Sequence, residues 1–146
     1  MVANVIYRGP VTREPLTVNL PVNGAYNPGS IVYEANGKLV LSAGTEPRWM
    51  ILSNRRFTGQ DVSTAYTSGE TGVAYRVEGE QEYNAMLVGA AYTKGMELKR
   101  SASPAGAFAA AASGEQVVAV FDEADRTLAT NGLGDIVILS VPYIKA

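Results

Sequence analysis

Three glutamates, Glu78, Glu80 and Glu82, recur at every second position. On a strand, alternate residues share one face, so this spacing would line three carboxylates along one surface. Paired carboxylates act as acid and base or as nucleophile in glycoside hydrolysis, and clustered oxygens hold divalent cations. The same run also fits a charged loop or a solvated edge that discourages strand addition. Composition narrows the chemistry further. The chain has 146 residues, with neither histidine nor cysteine. Lacking histidine, it lacks the commonest general base and the usual Ser and Cys triads. Lacking cysteine, it has no disulfide, thiolate nucleophile or Cys-ligated zinc. Carboxylate or Lys/Tyr chemistry remains open. The balance tilts toward a binding or structural role, with no catalytic residue, cofactor or metal expected.

Other suggestive strings carry less. Asp122-Glu123-Ala124-Asp125 spells the helicase DEAD box, which binds magnesium beside a phosphate loop, but no G-x-x-x-x-G-K-[ST] accompanies it. It reads as the acidic start of a short helix. Gly132-x-Gly134 is half of a dinucleotide fingerprint without its helix, hence a turn. Arg55-Arg56 and Lys99-Arg100 are too few for a nucleic-acid surface, and a net charge of −2 argues the same way. Trp49 and the eight tyrosines could line a sugar groove, though core and interface packing explain them as well. No run approaches the roughly 18 apolar residues of a membrane span. The opening MVANVIYRGP lacks a basic region followed by an apolar core, so no signal peptide is expected. Neither nucleic acid nor membrane is expected as a partner.

The elements that would position these residues are β-like. The chain length suits one domain with a core of its own. Residues 1–27 read as an extended N-terminal arm, because Pro10, Pro15 and Pro21, followed by Pro28, exclude helix interiors and central strands. Its apolar positions, Val5, Ile6, Tyr7, Leu16, Val18 and Leu20, are expected to dock on a partner or subunit surface, and deleting residues 2–20 is expected to spare the rest. Residues 28–146 then form a single β-rich domain. Ser30–Glu34 and Lys38–Leu41 flank Asn36-Gly37, the dipeptide of a tight hairpin. Arg48–Ser53, Gly72–Glu78, Tyr83–Tyr92, Gln116–Phe121 and Ile136–Val141 supply further strands. Short helices are expected at Asp122–Ala129 and at Gly59–Tyr66. Strand spacing with glycine turns predicts a mainly β fold, a small barrel or sandwich.

The run AGAFAAAASG, Ala105–Gly114, has the composition of a helix. An internal echo argues otherwise. Gly29–Val32 lies over Gly95–Leu98, Gly37-Lys38-Leu39 over Gly106-Ala107-Phe108, and Trp49–Leu52 over Val118–Phe121, with one three-residue insertion at Ser101–Ala105. The alanine run then matches Lys38–Ala43 and becomes a strand, closely packable because its residues are small.

The order of these pieces resembles the head decoration, or capsid cement, proteins of tailed bacteriophages. The resemblance rests on Pro28-Gly29-Ser30-Ile31-Val32, Asn36-Gly37-Lys38-Leu39-Val40, Gly95-Met96-Glu97-Leu98, Gly106–Ala111, Val117–Asp125 and Gly134-Asp135-Ile136-Val137-Ile138. It implies a β-rich protein on the outer surface of the virion capsid. There it would clamp adjacent subunits of the major capsid protein against DNA pressure, as a homotrimer or homodimer. The alternatives are another phage structural part such as a tail or receptor-contact domain, a carbohydrate-binding β-sandwich, or a carboxylate-based hydrolase using Glu78, Glu80 or Glu82.

Overall fold

The computed structural model describes residues 4–146; Met1, Val2 and Ala3, the first residues of the expected arm, lie outside them. The protein is mainly β. In the N-terminal half the strands are β1 (Tyr7–Gly9), β2 (Thr17–Pro21), β3 (Ile31–Ala35), β4 (Lys38–Leu41), β5 (Met50–Ser53) and β6 (Thr71–Arg76). There follow β7 (Glu82–Leu87), β8 (Ala91–Tyr92), β9 (Glu97–Arg100), β10 (Phe108–Ala110), β11 (Gln116–Phe121), β12 (Arg126–Thr127) and β13 (Gly132–Ile144). The only helical turn among the described residues is a 3-10 turn at Arg56–Thr58, so no described helix is long and apolar enough to cross a membrane.

The strands close into two small rings. One runs β2-β6-β5-β3-β4 and returns from β4 to β2 through a parallel bridge, Val22 opposite Leu39. The other runs β7-β13-β11-β9-β10 and returns through the parallel pair Phe108 and Leu87. The rings are copies of one plan: β2, β3, β4, β5 and β6 correspond in order to β7, β9, β10, β11 and β13. Register agrees pair by pair. Val32 faces Leu41 and Met50, as Leu98 faces Ala110 and Ala119. Val18 faces Ala74, as Tyr83 faces Ile136. Loop hydrogen bonds repeat too. Gly29 N–H donates to Leu52 O at 2.7 Å, and Gly95 N–H to Phe121 O at 2.7 Å. The internal echo is therefore structural, and Phe108–Ala110 of the alanine run is a strand. Asn36 and Gly37, both at positive φ, close the β3–β4 hairpin as the dipeptide requires.

Each ring encloses its own core. Val22, Val32, Leu39, Leu52, Tyr66 and Ala74 fill the first. Leu87, Leu98, Phe108, Phe121 and Ile136 belong to the larger cluster that fills the second. Full burial of such a side chain stabilises by about 1.5–3 kcal/mol. At one equivalent position in each ring the wall must be glycine. A Cβ on Gly72 would lie 2.7 Å from Val22 Cγ1, and one on Gly134 would lie 2.5 Å from Leu87 Cδ1. The rings pack side by side: Ile31 and Ile51, on the outside of the first, are buried in the cluster of the second. Ile31 N–H donates to Gly106 O at 2.8 Å across the junction.

Three expectations need correction. Asp122–Ala129 is not a helix. Asp125 Oδ1 accepts Lys94 N–H at 2.9 Å, and Arg126–Thr127 pairs with β8 while Leu128 packs on the second core. Tertiary contacts thus outweigh the favourable placement of acids. Gly59–Tyr66 is not helical either. Gln60 Nε2 donates to Thr64 O, Tyr66 is buried with its hydroxyl donating to Ser53 O at 2.5 Å, and the chain stays irregular to make both contacts. The segment within residues 1–27 is extended, but it is more than an arm laid on a surface. β2 is a wall of the first ring, and β1 pairs with β7 of the second. Deleting residues 2–20 would remove both strands and open the first core.

Candidate partner-binding surfaces

The six apolar positions expected at an interface have different fates. Ile6 is fully buried in the second core and is not available to a partner. Val5, Tyr7, Val18 and Leu20 are half-buried, and Leu16 is 68% exposed. Tyr7 stands against Tyr75 and Tyr83, with ring centroids 5.8 and 5.4 Å away, and its hydroxyl donates to Arg13 O at 2.9 Å. This anchors the Pro10–Arg13 turn, which holds Val11 outward at 83% exposure. Among the described residues the other large exposed apolar side chains are Phe57 beside the 3-10 turn and Val141, Tyr143 and Ile144 at the end of β13.

The carboxylate run does not line one strand face. Glu78 follows β6 and sits 4.0 Å from exposed Arg13. Glu80 occupies a turn at φ 70° and accepts Ser140 Oγ at 2.8 Å. Only Glu82 lies on a strand. It faces a shallow hollow with Asp122, Asp135 and Arg8, whose guanidinium is 3.7 Å from Asp135. Among the described residues no group of acidic side chains is arranged to hold a metal ion. Partial burial, then the charges of Asp122 and Asp135, push the Glu82 carboxyl above its ordinary range. Between the ordinary and the raised value the folded state holds more protons than the unfolded one, so stability falls as pH rises through that window. Glu82→Gln removes this loss. It should melt higher than the parent at pH 7 and close to it at pH 3.5, by calorimetry. A lower melting point at pH 7 would show that the carboxylate is net stabilising.

Trp49 is engaged by two neighbours. The Arg100 guanidinium lies 5.2 Å over its ring, and Phe108 meets it edge-on at 5.9 Å. Of the basic pairs, Arg55 bonds Glu70, Lys99 bonds Glu115 at 2.6 Å, and Arg100 sits 3.5 Å from Glu46. Arg48 and Arg76 were not singled out by the sequence. They rim a groove of about 560 Å³ at one end of the first ring, beside Val18, Glu34, Trp49 and Met50. Neither has an ion-pair partner among the described residues. No protein-family model and no curated protein matches this chain.

Proposed function

We propose that the chain is a non-enzymatic decoration protein of a tailed-phage head. It binds the outer surface of the expanded capsid as a homo-oligomer, a trimer or a dimer, and clamps adjacent major capsid protein subunits. The carrying observation is the N-terminal segment between β1 and β2. It is pinned to both rings yet turns Val11 and Leu16 outward at 83% and 68% exposure. Apolar side chains held out from a rigid body suit a clamp, and an oligomer multiplies weak contacts into avidity.

The test is co-sedimentation with expanded and unexpanded capsids of the phage that carries the gene. The protein should pellet with expanded capsids only. A V11D/L16D double variant should keep the parent's β spectrum and lose roughly tenfold or more in binding, as expected for two anchor residues. A stable monomer that ignores expanded capsids would overturn the proposal.

A further inference from the structure

The two rings differ at the seam between their first and third corresponding strands. In the second ring, between β7 and β10, the seam is filled. Glu82 pairs with Gly9, Asn84 N–H donates to Ile6 O at 2.7 Å, and Met86 N–H donates to Gly29 O at 2.9 Å. The side chain of Ile6 completes the core there. In the first ring the corresponding edge residues are Thr17, Asn19 and Pro21 of β2. Leu16 O accepts Arg76 N–H of β6 at 2.8 Å, and Val22 N–H donates to Glu70 O, just before β6, at 2.9 Å. Antiparallel strands alternate their bonding directions, so the backbone groups of Thr17 and Asn19 point away from β6. No strand pairs with them among the described residues; β4 reaches β2 only at the Val22 bridge. Pro21 replaces Met86 and has no N–H to satisfy. Beside this open edge lies the groove rimmed by Arg48 and Arg76, with Val18, Trp49 and Met50 as its apolar lining and Glu34 as its one carboxylate.

We propose that the open edge of β2 accepts an extended segment of a different protein as an added antiparallel strand. An apolar side chain of that segment enters the groove, and a carboxylate meets Arg48 and Arg76. The second ring supplies the pattern for the strand, since its own β1 occupies the equivalent place with Ile6 inward. Strand addition draws affinity from main-chain bonds and specificity from side-chain pockets. The two unpaired arginines set the charge of the occupant. They also disfavour the exposed end of this chain's own β13 as the occupant, since Lys145 follows Ile144 there. The inference is independent of which protein supplies the segment.

The test uses two end-capped peptides on the full chain. One is Asn-Val-Ile-Tyr-Arg-Gly, the chain's own segment Asn4–Gly9; the other carries Arg8→Glu. The acidic peptide should bind below about 1 mM by calorimetry, more tightly than the basic one, and should slow hydrogen exchange of the Asn19 amide. Asn19→Pro removes only an outward N–H, at an edge that already tolerates Pro21. It should weaken the acidic peptide roughly tenfold, as loss of a main-chain bond implies. Should that variant fail to fold, R48E/R76E should reverse the preference between peptides. Three results would overturn the proposal: no binding of the acidic peptide, equal binding to parent and both variants, or concentration-dependent self-association of the parent that Asn19→Pro abolishes. The last would make a second copy the occupant.

Discussion

Phe108→Ala should melt about 10 °C below the parent, while Phe108→Leu should lose only a few degrees. Phe108 is fully buried at the closing bridge of the second ring and meets Trp49 edge-on. Truncating a buried phenylalanine to alanine costs about 3–5 kcal/mol through lost transfer energy and the cavity left behind. For a chain of this size that is worth about 2–4 °C per kcal/mol. The leucine variant has an internal precedent: Leu39 occupies the corresponding place in the first ring and is equally buried. Differential scanning calorimetry of both variants checks this. Equal losses would mean that aromatic contact, rather than filled volume, holds the ring shut.

The second large effect belongs to Glu46 and Arg100 at the junction of the rings. Their side chains are 13% and 6% exposed, and Arg100 Nη1 lies 3.5 Å from Glu46 Oε1. Burial alone would push the Glu46 carboxyl up. Hydrogen bonds from Ser42 Oγ at 2.6 Å and Ala43 N–H at 3.0 Å, with Arg100 beside it, hold it below its ordinary value instead. Glu46→Ala strands the guanidinium in a dry site, with Ser42 Oγ as its remaining polar contact. Breaking a buried pair from one side costs about 3–5 kcal/mol. The corresponding Glu115→Ala should cost far less, because the Glu115–Lys99 pair is about one-third exposed and solvent screens it. A depressed carboxyl contributes stability above its unfolded pKa and loses it as pH falls through the folded one. The gap between parent and Glu46→Ala should therefore narrow in acid. Chemical unfolding of the two variants at pH 7 and pH 3 measures both the contrast and the narrowing.

Much of the architecture was legible. The hairpin at Asn36-Gly37 followed from turn chemistry, and the strand at Phe108–Ala110 followed from the echo against its own alanine composition. The duplication was visible only over β3–β5 and β9–β11. In the flanking strands, the matches Val18 to Tyr83 and Ala74 to Ile136 share neither size nor shape. Pairing register, which no single sequence displays, is what joins them. The short helix at Asp122 failed because local acids count for less than the pairing of Arg126–Thr127 with β8. The arm failed in a related way. Prolines correctly indicated extended chain, but Pro21 stands on an open edge where a missing N–H is harmless, and so β2 could be a wall of the ring. Glu46 and the free edge of Asn19 carried no local signal, and Arg100 showed only as half of a basic pair, since each acquires its meaning from a partner far along the chain.

The crossing of β1 into the second ring sets an order on events at the ribosome. Every strand of the first ring has emerged once Arg76 is out, so that ring can close before the strands of the second have left the exit channel. Asn4–Gly9, the first described residues to emerge, find their place only when β7 follows, and the second ring stays open until β13 arrives. Asn4–Gly9 thus wait, with Ile6 unburied, for the later half, and a nascent chain halted with Arg76 but not Glu82 outside the exit channel would display them.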